Sequence, residues 1–256
     1  MAECLRAQAD AAPRTWFQVM RGVNPLSAGA REHYTRAVGE LESAVALAAL
    51  GSEWTVAHST VERQHGAGHE HVVVGPAGAF LMCARQHAGA RAVNAGRMIL
   101  INGHRVAHVR DALKGAERLS AALTERGAVG VSVRPVVVLV GISEFVRGRM
   151  RAPVPVLPLS ELVRWLIRQP DVYSTAEVHA LVPLVKRLEG WRIYSAATSS
   201  HLRLTLRFER LRAEVTSARR HRRLWVVAGG MLALAVATAT AMVALLIPAF
   251  TSATGG

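Results

Sequence analysis

Three side chains of different chemistry fall at spacings that a β-hairpin would bring to one spot: Glu70, Cys83 and Arg85. Two apolar runs, His69 to Val74 and Ala79 to Gln86, flank Gly75-Pro76-Ala77-Gly78. Val72 to Val74 are β-branched, and the Gly/Pro punctuation marks a reversal. With Gly75–Gly78 as the loop, Val74 faces Ala79 and, counting back, Glu70 faces Cys83. Alternate side chains of a strand share a face. Cys83 and Arg85 therefore project together with Glu70 beside them, while His69 and His71 project to the opposite side. The trio offers one hard oxygen ligand, one soft thiol and one planar, permanently charged guanidinium able to grip a phosphate.

Histidines crowd the same stretch: His58, His65, His69, His71 and His87. An H-x-H pair is a zinc-ligand arrangement, but no CxxC or H-E-x-x-H spacing accompanies it. Surface or supporting histidines are the simpler reading. Cys4 and Cys83 are the only cysteines, so no disulfide framework is expected, in keeping with a reducing compartment.

The elements that must position these residues follow from periodicity. Residues 1–30, with Pro13, Gly22 and Pro25, read as a loosely ordered arm with one short helix, Trp16-Phe17 docking on the domain, and no apolar run of signal length. Tyr34, Val38, Leu41, Val45 and Ala48 trace one helix face over 28–50, closed by Gly51-Ser52. Trp54 to His58 reads as a first strand and 62–68 as a loop. Residues 91–106 hold two short strand candidates, with Asn102-Gly103 as a hairpin turn. Ala112, Ala116, Leu119 and Leu123 give an amphipathic helix stopped by Gly127. Val133 to Val140 is a β-branched run expected to be a buried strand parallel to a neighbour. Arg147, Arg149 and Arg151 fall at alternate positions of a basic edge, open to phosphate or to solvent. Two helices follow, with Leu162, Trp165 and Leu166 inward in the first and a Ser174-x-x-Glu177 capping box opening the second.

The hairpin run Glu70-His71-Val72-Val73-Val74-Gly75-Pro76, Gly78, Phe80-Leu81-Met82-Cys83-Ala84-Arg85, with Gly39-Glu40 on the preceding helix, resembles the NERD (nuclease-related) domain. That domain is similar to the PD-(D/E)xK nucleases. The resemblance covers about residues 36 to 188 and implies an α/β fold, a PD-(D/E)xK-like mixed sheet flanked by helices. In the family, carboxylates at these positions hold a divalent cation and a Lys helps position the attacking water. Here the family-equivalent positions are Glu40, Glu70, Cys83 and Arg85, with Glu70 the candidate metal ligand. A hydrolytic Mg²⁺ or Mn²⁺ site wants hard oxygen ligands; a thiol is soft, and a guanidinium cannot replace a compact, titratable ammonium. The implied protein is a degenerate, non-catalytic binding or scaffold module with no resident cofactor, and nucleic acid is a candidate partner through Arg85 and the basic edge. A metal-dependent nuclease acting on DNA or RNA is the alternative. A structural membrane protein with a lipid-binding basic segment is the third.

The C-terminal end reads independently of that resemblance. Leu224 to Phe250 contains no charged residue, long enough for the ~20 apolar residues of a bilayer span. Arg219, Arg220, Arg222 and Arg223 precede it at once, and Trp225 stands at its start. By the positive-inside rule the N-terminal domain is expected on the cytoplasmic side of a single-pass cell-membrane protein. The four arginines are the expected anionic-lipid contacts. Residues 201–223 carry eight Arg and two Glu within a chain of net charge +13; lipid contact accounts for such a charge run without nucleic acid. Gly229, Ala233, Ala237 and Ala241 form a small-residue stripe suited to self-association. The expected organisation is thus an arm (1–30), the NERD-like domain (31–190), a basic helical juxtamembrane segment (191–223), the span (224–250) and a short tail (251–256).

Overall fold

A computed structural model describes residues 1–59, 68–128, 130–150, 152–193 and 199–253. Residues 62–67 of the expected 62–68 loop, His65 among them, Arg151 and the last tail residues lie outside the described residues, as does the side chain of His69, while Gly68 belongs to a strand and not to the loop.

Three helices open the chain: α1 (Ala2–Gln8), α2 (Trp16–Met20) and α3 (Ala28–Leu47). Strands β1 (Thr55–Ser59), β2 (Gly68–Gly75) and β3 (Gly78–Gln86) follow, then β4 (Arg91–Asn94), β5 (Ile99–Ile101), β6 (His104–Val106) and helix α4 (His108–Thr124). The chain continues through β7 (Val133–Val140), β8 (Glu144–Arg147), β9 (Val156–Pro158), α5 (Leu159–Ile167), α6 (Thr175–Lys186), β10 (Trp191–Arg192) and α7 (Ser199–Ala253). The fold class is α/β. A six-stranded mixed sheet has the order β10-β1-β2-β3-β7-β9, and a four-stranded sheet the order β6-β5-β4-β8.

The hairpin has the expected register: Gly75 pairs with Gly78, Val74 with Ala79 and Glu70 with Cys83. Its turn is held from outside. Arg134 donates to the carbonyl of Ala77 and lies over the Phe80 ring, and the amides of Val172 and Tyr173 both donate to the carbonyl of Pro76 at 2.9 Å. β7 is the buried parallel strand its composition implies, flanked by β3 and β9, both parallel to it. Three strands, not two, occupy 91–106, and the Asn102-Gly103 turn has both residues at positive φ (49° and 84°). β8 ends at Arg147, so the expected alternation of basic residues along a strand stops there; Arg147 pairs with Glu161 and stacks on Phe145.

The two sheets share a bent parallel pair. β3 leads into β4 and β7 into β8, and both β3–β7 and β4–β8 are parallel. Between them His87 N donates to Val140 O, Gly89 N to Gly141 O and Ser143 N to Ala90 O. The bend passes through Gly89 and Gly141, each at φ +71°, a conformation that glycine adopts without steric cost.

Both faces of the main sheet are covered, so the core is double. On one face Val72, Leu81, Cys83 and Val137 pack with Ala112, Ala116, Leu119 and Leu123 of α4. On the other, Val73, Phe80, Met82 and Val138 pack with Leu47 of α3 and Leu162 and Leu166 of α5. A third cluster joins the N-terminal arm to α7: Cys4, Leu26, Ala30, Tyr34 and Leu41 close over Phe208, Leu211 and Val215.

That third cluster corrects the expectation of a loose arm with one short helix. The arm forms two helices. Gln8 links it internally, donating to Pro25 O and accepting from Ser27 N, while Ser27 Oγ donates to Ala7 O. Trp16 and Phe17 do not dock; they are 74% and 60% exposed. The ordering comes from small residues, Cys4 and Ala30, which let α1 lie close to α3.

α7 is one helix from the basic segment through the apolar run, about 80 Å long at 1.5 Å per residue. Its first half presents a stripe, Phe208, Leu211, Val215 and Ala218, to the domain. Among the described residues, Arg203–Ala241 is the helix long and apolar enough to cross a membrane by length and composition. Gly229 stands in open space on it, and Ala233, Ala237 and Ala241 are exposed on the same segment.

Candidate functional site

The hairpin delivers Glu70, Cys83 and Arg85 to the α4 face of the sheet. Glu70 is 7% exposed, Cys83 fully buried and Arg85 8% exposed. Glycine at 115 on α4 makes room there: a Cβ at that position would stand 2.8 Å from Leu81 Cδ2 and 3.8 Å from Glu70 Oε1. The Glu70 carboxylate therefore lies beneath α4, in the wall of the core. Arg85 turns back along its own strand and donates to Ala84 O at 3.2 Å.

Glu40 does not join them. It sits on α3, which covers the opposite face: its neighbour Gly39 abuts Gln86, and Leu47 packs on Val73 and Met82. The Glu40 carboxylate accepts instead from the Met1 ammonium. Alternation along β3 explains the separation, since Gln86 and Arg85 point to opposite faces.

A pair of histidines that local sequence does not connect completes the α4 face. His87 continues the parity of Cys83 and Arg85 just past β3, and His108 opens α4. Their Nε2 atoms lie 2.8 Å apart. Burial, the nearby Arg85 charge and His87 push His108 down to about 4; burial and Arg85 also lower His87. Both imidazoles are therefore neutral near pH 7, one donating to the other. His108 escaped sequence reasoning because the segment carrying β4 to β6 separates it from His87. The available signal was a histidine at the first position of a helix that returns to the end of β3.

The chain matches no protein-family model, no curated protein and no solved structure.

Chemically, this α4-face cluster offers one carboxylate, one occluded thiol, one guanidinium and a neutral histidine pair. These residues do not fit a Mg²⁺ or Mn²⁺ site. Such ions take several oxygen ligands and waters, whereas here Glu70 stands beside a soft sulfur, and Arg85 brings positive charge to the same face. Among the described residues, no three or more His, Cys, Asp or Glu side chains group as a metal-holding set. His58 and His71, on the opposite face, turn their Nδ1 atoms to each other at 2.8 Å with the rings edge-on. His71 of the H-x-H motif thus makes a histidine–histidine contact between β2 and β1. The four arginines expected to meet lipid, Arg219, Arg220, Arg222 and Arg223, are all exposed on α7 just before the apolar run. A groove of about 380 Å³ lies higher up, between the arm and α7, lined by Arg14, Arg207, Arg210 and Glu214 among others; the Arg14–Glu214 pair at 2.9 Å spans it.

Proposed function

We propose that this chain is a single-pass, membrane-anchored protein whose α/β domain faces the cytoplasm and works as a binding or scaffold module on a degenerate PD-(D/E)xK-like, NERD-type scaffold. The observation that carries the non-catalytic reading is the fully buried Cys83 beside an interior Arg85, where an active site of that kind would open a carboxylate and a Lys to metal and water. The hairpin register, with Glu70 opposite Cys83, and the mixed sheet with helices on both faces are in keeping with the resemblance. The anchoring reading rests on α7, whose first half packs one stripe on the domain and whose uncharged run is exposed from Leu224 to Ala241. The arginines at the junction favour the cytoplasmic side for the domain. Nucleic acid is the candidate partner, through exposed arginines rather than a catalytic centre.

The test uses the full chain in detergent, because Phe208, Leu211 and Val215 of α7 complete the domain core. Single- and double-stranded DNA and RNA are incubated with Mg²⁺ or Mn²⁺ and with chelator, beside a Cys83→Asp, Arg85→Lys double variant. The expected result is no cleavage by the native chain. Chelator-sensitive cleavage that Glu70→Ala abolishes would overturn the reading and make the chain a nuclease. Binding is read on the same substrates at physiological salt, where non-specific binders retain roughly 10⁻⁴–10⁻⁶ M affinity. Absence of any binding would remove nucleic acid as the partner.

A further inference from the structure

The short helix α2 is built to expose its apolar face. Thr15 and Gln18 form a capping box that fixes its start. Trp16, Phe17 and Met20 share one face at positions i, i+1 and i+4, and all three are exposed, as is Val23 beyond them. Large aromatic residues grouped on an ordered surface mark an interaction site more often than scattered apolar residues do.

Its location names the occupant. The turn after α2 presses on α7: a Cβ at Gly22, which is held at φ +69°, would come within 2.5 Å of Ala218 O and Arg222 N. His221 Nδ1 lies 3.0 Å from Val19 O, and Trp225 donates its indole N–H to Met20 O at 2.8 Å. α2 is therefore locked against α7 where the uncharged run begins at Leu224. A five-residue helix is only about 7 Å long, so its side chains stay near the level of Trp225. Trp225 occupies the place where interfacial aromatics sit in membrane helices.

The charge around this face is mainly basic; Glu214 is the nearby carboxylate, and it is paired with Arg14, which also donates to Val23 O. Arg21 lies 5.4 Å from the Phe17 ring, and Arg219, Arg220, Arg222 and Arg223 are exposed on the adjoining turns. No acidic residue occurs between Ala11 and Arg31 on the arm, or after Glu214 on α7. An aromatic face ringed by arginines and continuous with an apolar helix suits the headgroup zone of an anionic bilayer.

We propose that α2 is a second membrane contact, seating Trp16, Phe17 and Met20 in the headgroup zone of the bilayer that α7 enters; this rests on reading α7 as a span. A lone helix leaves the attached domain free to rotate about its axis. A side contact at the junction fixes which face of the domain meets the lipid.

The experiment uses the full chain in vesicles of phosphatidylglycerol and phosphatidylcholine with brominated acyl chains, which quench nearby tryptophan. The native chain is compared with Trp16→Phe and Trp225→Phe, both at exposed positions, with circular dichroism checking the fold. The expected result is that each substitution removes a quenchable, blue-shifted component. If Trp225 is quenched and Trp16 is not, the second contact is overturned while the span stands. If neither is quenched, the span reading fails and takes the proposal with it. If Trp16 is shielded from lipid by a dimer that Phe17→Ser dissociates, the face belongs to a second copy and the proposal is overturned.

Discussion

His87 and His108 face each other with their Nε2 atoms 2.8 Å apart, so a single shared proton satisfies the pair. Protonating one ring leaves an imidazolium on a neutral imidazole beside Arg85, and protonating both would set two Nε2–H groups against each other. His108 is lowered from 6.5 to about 4 in the fold, mainly by burial. A depressed folded value means that the unfolded chain binds the proton first, so stability is present above pH 6.5 and is lost as pH falls towards 4. Each tenfold loss of proton affinity corresponds to ~1.4 kcal/mol, which sets this contribution on the order of 3 kcal/mol at most. Thermal melting of the full chain in detergent should fall steeply across that window and flatten in His108→Gln. An equally steep fall in the variant would place the acid sensitivity elsewhere.

Arg85 is the charge that both histidines feel. Its removal in Arg85→Met keeps much of the volume of the side chain and abolishes the repulsion. The titration of His108, followed by NMR of its ring protons, should move upward, though not to 6.5, because burial is the larger cause. His87 should move the same way. An unchanged His108 titration would mean that the guanidinium does not act on the pair.

Phe208 ties α7 to the domain. It is fully buried, and its ring centroid lies 5.7 Å from that of Tyr34. Phe208→Ala should cost about 3–5 kcal/mol, the range for removing a buried aromatic side chain. Because the arm and α3 close over the same residue, protease should then reach α1 and α2 before the sheet. A small change in melting temperature with unaltered proteolysis would show that the junction does not depend on this contact.

These residues also show what the sequence discloses and why it stops. The hairpin register was legible because Gly75 and Gly78 bracket a short turn, after which pairing is arithmetic. The Ser174–Glu177 capping box, the buried β7 run and the uncharged stretch of α7 are equally local signals. The docked arm was not legible: α1 and α2 are too short for periodicity, and their anchors, such as Gln8 to Pro25 and Trp225 to Met20, link distant positions. The candidate site was half legible. Strand parity placed Glu70, Cys83 and Arg85 together, but local sequence could not show that α3 and α4 cover opposite faces, which separates Glu40 from Glu70 and brings His108 to His87.

Gly115 tests how closely α4 presses on the hairpin. Alanine there would gain up to ~1 kcal/mol of helix propensity over glycine. Its Cβ, however, would stand 2.8 Å from Leu81 Cδ2, a terminal methyl inside a filled core. Overpacking of this kind costs about 1–3 kcal/mol, so Gly115→Ala should be near neutral to moderately destabilising. Gly115→Val adds two further methyls and the χ1 restriction of a β-branched residue, and it should cost clearly more, since α4 must lift from Leu81 and Glu70 together. Thermal melts of both variants check the order, and the His108 titration reports whether α4 has lifted, because separation from Arg85 and exposure to water both raise it. Equal stability of the valine variant and the native chain would show that the close approach at Gly115 is not needed to hold α4 on the hairpin.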